Sequence, residues 1–93
     1  MAVLVVLPAA LREYARGASE VRASGGTLDA LLSNLDAKFP GIRQRVLQDT
    51  GVLREYVNVF VNGDQVEQAD PRRVRVADGD TVHIIPSIAG GAR

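Results

Sequence analysis

The most constraining feature of this sequence is a single helical stripe of leucines in a chain whose other segments have strand patterns. Its apolar positions recur every three or four residues, the spacing that puts side chains on one face of a helix. They are Leu28, Leu31, Leu32, Leu35 and Phe39. Thr27 precedes them as a candidate N-cap, and Pro40-Gly41 ends the pattern. One such helix covers only one face of a sheet.

Five short segments have the β-branched or alternating composition of strands. They are residues 3–7, 20–23, 56–61, 65–67 and 81–85. Asn62-Gly63, a dipeptide suited to tight hairpins, joins the third segment to the fourth. A loop is predicted at residues 9–17 and a short second helix at 42–47. This order predicts an α+β fold, with a mixed sheet of four to five strands and one main helix packed on one face.

The alternation of apolar residues assigns the two faces of the sheet. In the third strand Val57, Val59 and Val61 are predicted to face the helix, and Tyr56, Asn58 and Phe60 to face away. The first strand is apolar on both faces, which predicts a central position. The face without a helix then carries an apolar patch, interpreted as a partner surface rather than as scattered surface hydrophobes. Its predicted members are Leu4, Val6, Phe60, His83 and Ile85.

Composition excludes several classes of function. The chain has no cysteine, so it has no disulfide, no thiolate metal site and no nucleophilic thiol. With one histidine and no cluster of acid, base and nucleophile, neither a metal site nor a catalytic side chain is expected. Eleven basic residues balance eleven acidic ones, which argues against nucleic-acid binding. The apolar stretch at residues 2–11 is too short to span a membrane. The absence of cysteine fits a reducing cytoplasm, which is the expected location.

These motifs resemble the ThiS/MoaD family of sulfur carriers, which share the β-grasp fold of ubiquitin. The resemblance rests on the strand at 56–61 running into Asn62-Gly63, and on Asp78-Gly79-Asp80 followed by a last strand, Pro86 and Gly90-Gly91. It is closest to the CysO-like branch, which serves cysteine biosynthesis. The resemblance implies a β-grasp domain at residues 1–86 and a flexible C-terminal tail at 87–93.

The resemblance also implies the chemistry of the tail. Many family members end at the diglycine, whereas here Ala92 and Arg93 follow it. Once these two residues are removed, the main-chain carboxyl of Gly91 is adenylated with ATP and converted to a thiocarboxylate. Gly91 is therefore the expected sulfur attachment point, and the bond from Gly91 to Ala92 the processing site. Glycine at 90 and 91 suits a tail that threads a narrow channel.

The family resemblance implies three partners and no cofactor bound by the chain itself. A ubiquitin-activating-type enzyme uses ATP to adenylate the tail, and a JAMM-type metalloprotease removes the extension. A synthase accepts the sulfur, and the family offers cysteine synthase, molybdopterin synthase and thiazole- or thiosugar-forming synthases. Two alternatives remain open: a ubiquitin-like modifier conjugated through Gly91, and a β-grasp binding module whose diglycine is incidental.

Overall fold

The computed structural model describes residues 2–86 and contains five strands and three helices within that range. The strands are β1 (Val3–Val6), β2 (Glu20–Ala23), β3 (Val57–Val61), β4 (Asp64–Gln65) and β5 (Thr81–Pro86). The helices are α1 (Ala9–Arg12), α2 (Leu28–Lys38) and α3 (Ile42–Val46), with 3-10 turns at Glu13–Ala15 and Pro71–Arg73.

The strands form one mixed sheet in the order β2-β1-β5-β3-β4. Strand β1 pairs antiparallel with β2 and parallel with β5, so it lies inside the sheet as predicted. Strand β5 pairs antiparallel with β3, which forms a hairpin with β4. At that hairpin Asn62 and Gly63 both adopt positive φ angles, 52° and 89°, as a tight two-residue turn requires. The last strand among residues 2–86 is therefore the central strand of the sheet.

Helix α2 is the main helix, and its leucine stripe forms the centre of the core. Thr27 caps it as predicted, with its Oγ1 accepting a hydrogen bond from the N–H of Ala30 at 3.1 Å. The four leucines of the stripe are fully buried, whereas Phe39 packs at the edge of the core. Facing them from the sheet are the buried residues Val3, Val5, Val59, Val82 and Ile84. The prediction that one face of the sheet is covered by one main helix is confirmed.

The bounds of four strands and one predicted loop differ from the sequence-based prediction. Residues 9–17 were expected to form a loop, but they contain α1 and a 3-10 turn that bury Leu11 and Ala15. A single turn is too short for helical periodicity to be visible in the sequence. Strand β1 ends at Val6 rather than at residue 7, and β3 begins at Val57 rather than at residue 56. Strand β4 spans Asp64–Gln65 instead of 65–67, and β5 extends to Pro86 rather than ending at residue 85. Helix α3 was predicted correctly, to within one residue at its end.

Candidate functional site

Strand β5 is the last described element before the predicted sulfur attachment point in the sequence. It is paired on both sides, and its register with β3 extends to Pro86, which lies opposite Val57. Proline lacks the N–H that would continue the ladder, which suits the end of the strand. Gly91 lies five residues beyond Pro86 in the sequence, a span of at most about 17 Å when extended. Gly90, Gly91 and Ala92 themselves lie outside the described residues.

Hydrogen bonds between two turns hold the start of β5 in register. The Asn62 side chain donates to Asp80 Oδ1 at 2.9 Å and accepts from the Thr81 N–H at 2.9 Å. Asp80 Oδ2 also accepts from the N–H of Ala77 at 2.8 Å. The Asn62 amide, and after it the Ala77 N–H, hold the pKa of Asp80 below its ordinary value. The strand that carries the tail is thus fixed at its beginning as well as along both edges.

The residues predicted as a partner surface lie together on the face of the sheet opposite α2. We call these five residues the open face. Val6, His83 and Phe60 occupy one row across β1, β5 and β3. Leu4 lies two residues before Val6, and Ile85 lies two residues after His83, toward the tail. Ile85 is 44% exposed, and the other four are half-buried. The open face therefore forms one patch whose exposed end adjoins the tail.

His83 sits between two apolar neighbours and not in a reactive cluster. Its register partners are Val6 on one side and Phe60 on the other. Within residues 2–86 no three His, Asp or Glu side chains are grouped closely enough to hold a metal ion. The same part of the chain contains no helix long and apolar enough to cross a membrane.

A groove of about 370 Å³ lies on the helical side of the sheet next to Pro86, and the sequence gives no sign of it. Pro86 lines it, together with Tyr14 and Arg45 from the helical segments and Arg54 and Tyr56 from the segment before β3. We call it the tail-root groove. Tyr56 was predicted to face away from the helix with Asn58 and Phe60, but β3 begins only at Val57, and Tyr56 lines this groove on the helical side. No local pattern reveals the groove, since its lining residues are widely separated in sequence.

Comparison with known proteins identifies the family. The ThiS family model matches residues 5–91, nearly the whole chain. The chain belongs to the ThiS family. The match extends through Gly91, the residue predicted to carry sulfur.

The similarity extends to individual ThiS-family relatives. The chain is 40% identical over 93 residues to the sulfur carrier protein CysO of Mycobacterium tuberculosis, covering 98% of this chain and all of that protein. A crystal structure of M. tuberculosis CysO matches with a TM-score of 0.85 and 38% identity, over 91% of this chain and 98% of that one. The ubiquitin-like β-grasp fold and the CysO-like resemblance are therefore confirmed. These relatives are carriers, which confirms the prediction that the chain is not an enzyme.

Two further similarities concern partners and alternatives. The structure of the Amycolatopsis orientalis BexX/CysO complex matches with a TM-score of 0.86 and 32% identity, over 96% of this chain and 99% of that one. That CysO is thus seen bound to a second protein. Small archaeal modifier protein 3 of Haloferax volcanii is 35% identical over 65 residues, covering 70% of each chain.

Proposed function

We propose that this protein is a sulfur carrier that works through the main-chain carboxyl of Gly91. The observation that carries the proposal is the full-length similarity to a protein named as a sulfur carrier, together with a family match that runs through Gly91. The fold supports it, because the central strand β5 leads into the tail. The chain has no cysteine to carry a persulfide, so its sulfur has to be bound at the C-terminal carboxyl.

The chemistry has two steps. The Gly91 carboxylate attacks the α-phosphorus of ATP and releases pyrophosphate, giving an acyl-adenylate. Hydrosulfide, or another sulfur nucleophile, then displaces AMP and leaves a thiocarboxylate. The thiocarboxylate donates sulfur to an activated carbon in the biosynthesis of cysteine or of another sulfur-containing metabolite. Because adenylation consumes ATP, we assign the reaction to the cytoplasm.

Processing precedes both steps in this proposal. While Ala92 follows Gly91, the Gly91 carbonyl is part of an amide and offers no carboxylate oxygen to attack ATP. A protease therefore has to cut after Gly91, and a JAMM-type metalloprotease is our candidate. The adenylating enzyme and the sulfur-accepting synthase are the other two partners. We propose that they bind the open face, since its apolar end adjoins the tail that they have to receive.

The test compares the full-length chain with a form that ends at Gly91. Both are incubated with the adenylating enzyme, ATP and sulfide, and intact masses are recorded. We expect the shorter form to gain the mass difference between sulfur and oxygen, and the full-length form to remain unchanged. Omitting ATP is one control, and a form that ends in Gly91 carboxamide, which cannot be adenylated, is the other. Thiocarboxylate on a chain that still carries Ala92 and Arg93 would contradict the processing step.

A second candidate function is protein modification, favoured by the similarity to an archaeal modifier protein. In that case Gly91 ends in an isopeptide bond to a lysine of another protein. The same mass measurement, made on the protein isolated from cells, separates the two functions. A carrier is found as free carboxylate and thiocarboxylate, whereas a modifier is found in conjugates of much larger mass.

A further inference from the structure

The tail-root groove borders the point where the tail leaves the sheet. Pro86, the last described residue, is part of its lining. The 3-10 turn after α1 contributes Glu13 and Tyr14, and α3 contributes Arg45. Any tail that leaves Pro86 therefore starts at the edge of this groove. The open face lies on the other side of the sheet, so the groove is separate from the proposed partner surface.

Two arginines line the groove and supply its positively charged hydrogen-bond donors. Arg45 Nε donates to Tyr14 Oη at 2.8 Å, and its guanidinium carbon lies 5.5 Å from the centre of the Tyr14 ring. Arg54 Nε donates to the carbonyl oxygen of Gln44, also at 2.8 Å. Each of these bonds fixes one guanidinium group through its Nε atom. Among residues 2–86, the remaining Nη atoms of both have neither a hydrogen-bond acceptor nor a carboxylate within reach.

The charge of the lining favours an anion. Arg45 and Arg54 contribute two positive charges, and Glu13 contributes one negative charge without forming an ion pair with either. Guanidinium groups bind carboxylates through paired N–H donors, and such charge-assisted bonds are stronger than neutral ones. Tyr14 and Tyr56 also line the groove, and Tyr56 is 56% exposed, so the site is accessible from solvent. A carboxylate is therefore the ligand class that fits this groove.

Processing creates a carboxylate at Gly91 of the same chain, tethered to Pro86 at the edge of the groove. Gly91 reaches at most about 17 Å from Pro86, whereas a sphere of 370 Å³ is about 9 Å across. The tail is thus long enough to turn back, and Gly90-Gly91 permits backbone angles closed to other residues. Tethering also raises the effective concentration of the carboxylate to the millimolar range, so weak intrinsic affinity is sufficient.

We propose that the tail-root groove is a carboxylate-binding site, and that its ligand is the C-terminal Gly91 carboxylate of the same chain. This inference rests on the proposed function, because Gly91 has a carboxylate only after the residues that follow it are removed. The thiocarboxylate carries the same charge and binds in the same place. Docking in cis holds the reactive end against the domain between visits to partners, and a partner has to displace it before the tail enters its active site.

The experiment uses two forms of the protein that differ only in the terminal group. One ends in Gly91 carboxylate and the other in Gly91 carboxamide, and both retain all of residues 2–86, which hold the described core. We expect the amide NMR signals of Tyr14 and Tyr56, and the Nε–H signals of Arg45 and Arg54, to differ between the two forms.

Side-chain variants of the carboxylate form then test the assignment of the ligand groups. With Gly91 labelled at its carboxyl carbon, we expect Arg54→Gln to raise the pH midpoint of its titration by about half a unit to one unit. Glu13→Gln should lower it, because a repulsive charge is removed. Arg73→Gln is the matched control, since Arg73 is exposed and does not line the groove. It should leave the midpoint unchanged.

Three outcomes would overturn the proposal. If the carboxylate and carboxamide forms give the same groove signals, the groove is empty in the isolated protein and serves a partner instead. If the signals depend on protein concentration, the ligand is the tail of a second copy. If Arg54→Gln and Arg73→Gln shift the midpoint equally, the effect is one of net charge. No ATP, sulfur or partner is present, so these results are independent of whether the protein carries sulfur.

Discussion

Gly25 shows at the scale of one residue why the chain needs glycine between β2 and α2. The sequence Ser24-Gly25-Gly26 predicts only a break after a strand. In the structure the two glycines are not equivalent. A Cβ built on Gly25 would lie 2.5 Å from the backbone nitrogen of Leu31, whereas one built on Gly26 meets no atom within 4 Å. Gly25 therefore allows the β2–α2 connection to pass directly against the backbone of the main helix.

This difference gives a paired prediction. Gly25→Ala should destabilise the protein by about 1–3 kcal/mol, because a backbone atom cannot move aside as a flexible side chain would. Gly26→Ala, its matched control, should change the free energy of unfolding by less than about 0.5 kcal/mol. Urea unfolding of both variants measures the two values. Equal values would mean that the close approach at Gly25 does not limit packing.

At the scale of the element, helix α2 and strand β3 could be predicted because their patterns are local. The leucine stripe repeats over three turns, and the valines of β3 alternate over five residues. Helix α1 has four residues and β4 has two, so neither is long enough to display a period. Tertiary contacts stabilise these short elements. Leu11 of α1 is buried in the core, and β4 pairs with β3. The contacts of α1 have no signature in a local window of sequence, whereas the Asn62-Gly63 turn located β4 and left only its bounds unpredicted.

The burial of α2 leads to a prediction about its central leucine. Leu31 has no exposed surface, so Leu31→Ala removes buried apolar volume and leaves a cavity. We expect a loss of about 2–5 kcal/mol of stability, a large part of the ~5–15 kcal/mol typical of natural domains. Ser33→Ala, at an exposed position of the same helix, is the control and should be nearly neutral. Thermal melts compare the two, and equal melting temperatures would show that the stripe does not support the core.

At the scale of the whole molecule, the two surfaces beside the tail were not equally predictable. The open face follows from alternation and from having one main helix, because a sheet covered on one side leaves its other set of side chains exposed. The tail-root groove depends on how α1, α3 and the segment before β3 pack against one another. Arg45 and Tyr14 lie 31 residues apart in sequence, and only the folded chain joins them. The diglycine itself was visible in the sequence, since it needs no fold to be recognised.

The open face gives the last prediction, on partner binding. Phe60 is half-buried among strand neighbours and lies outside the buried core cluster. Phe60→Asp should therefore keep the fold, as measured by circular dichroism. Binding to the adenylating enzyme should weaken about tenfold to thirtyfold, because a charge replaces an aromatic anchor in an apolar contact. Ser33→Asp adds the same charge to the exposed side of α2 and should leave affinity unchanged. Unchanged binding by a folded Phe60→Asp variant would mean that partners approach the tail from another side, and the tail-root groove would be the next surface to test.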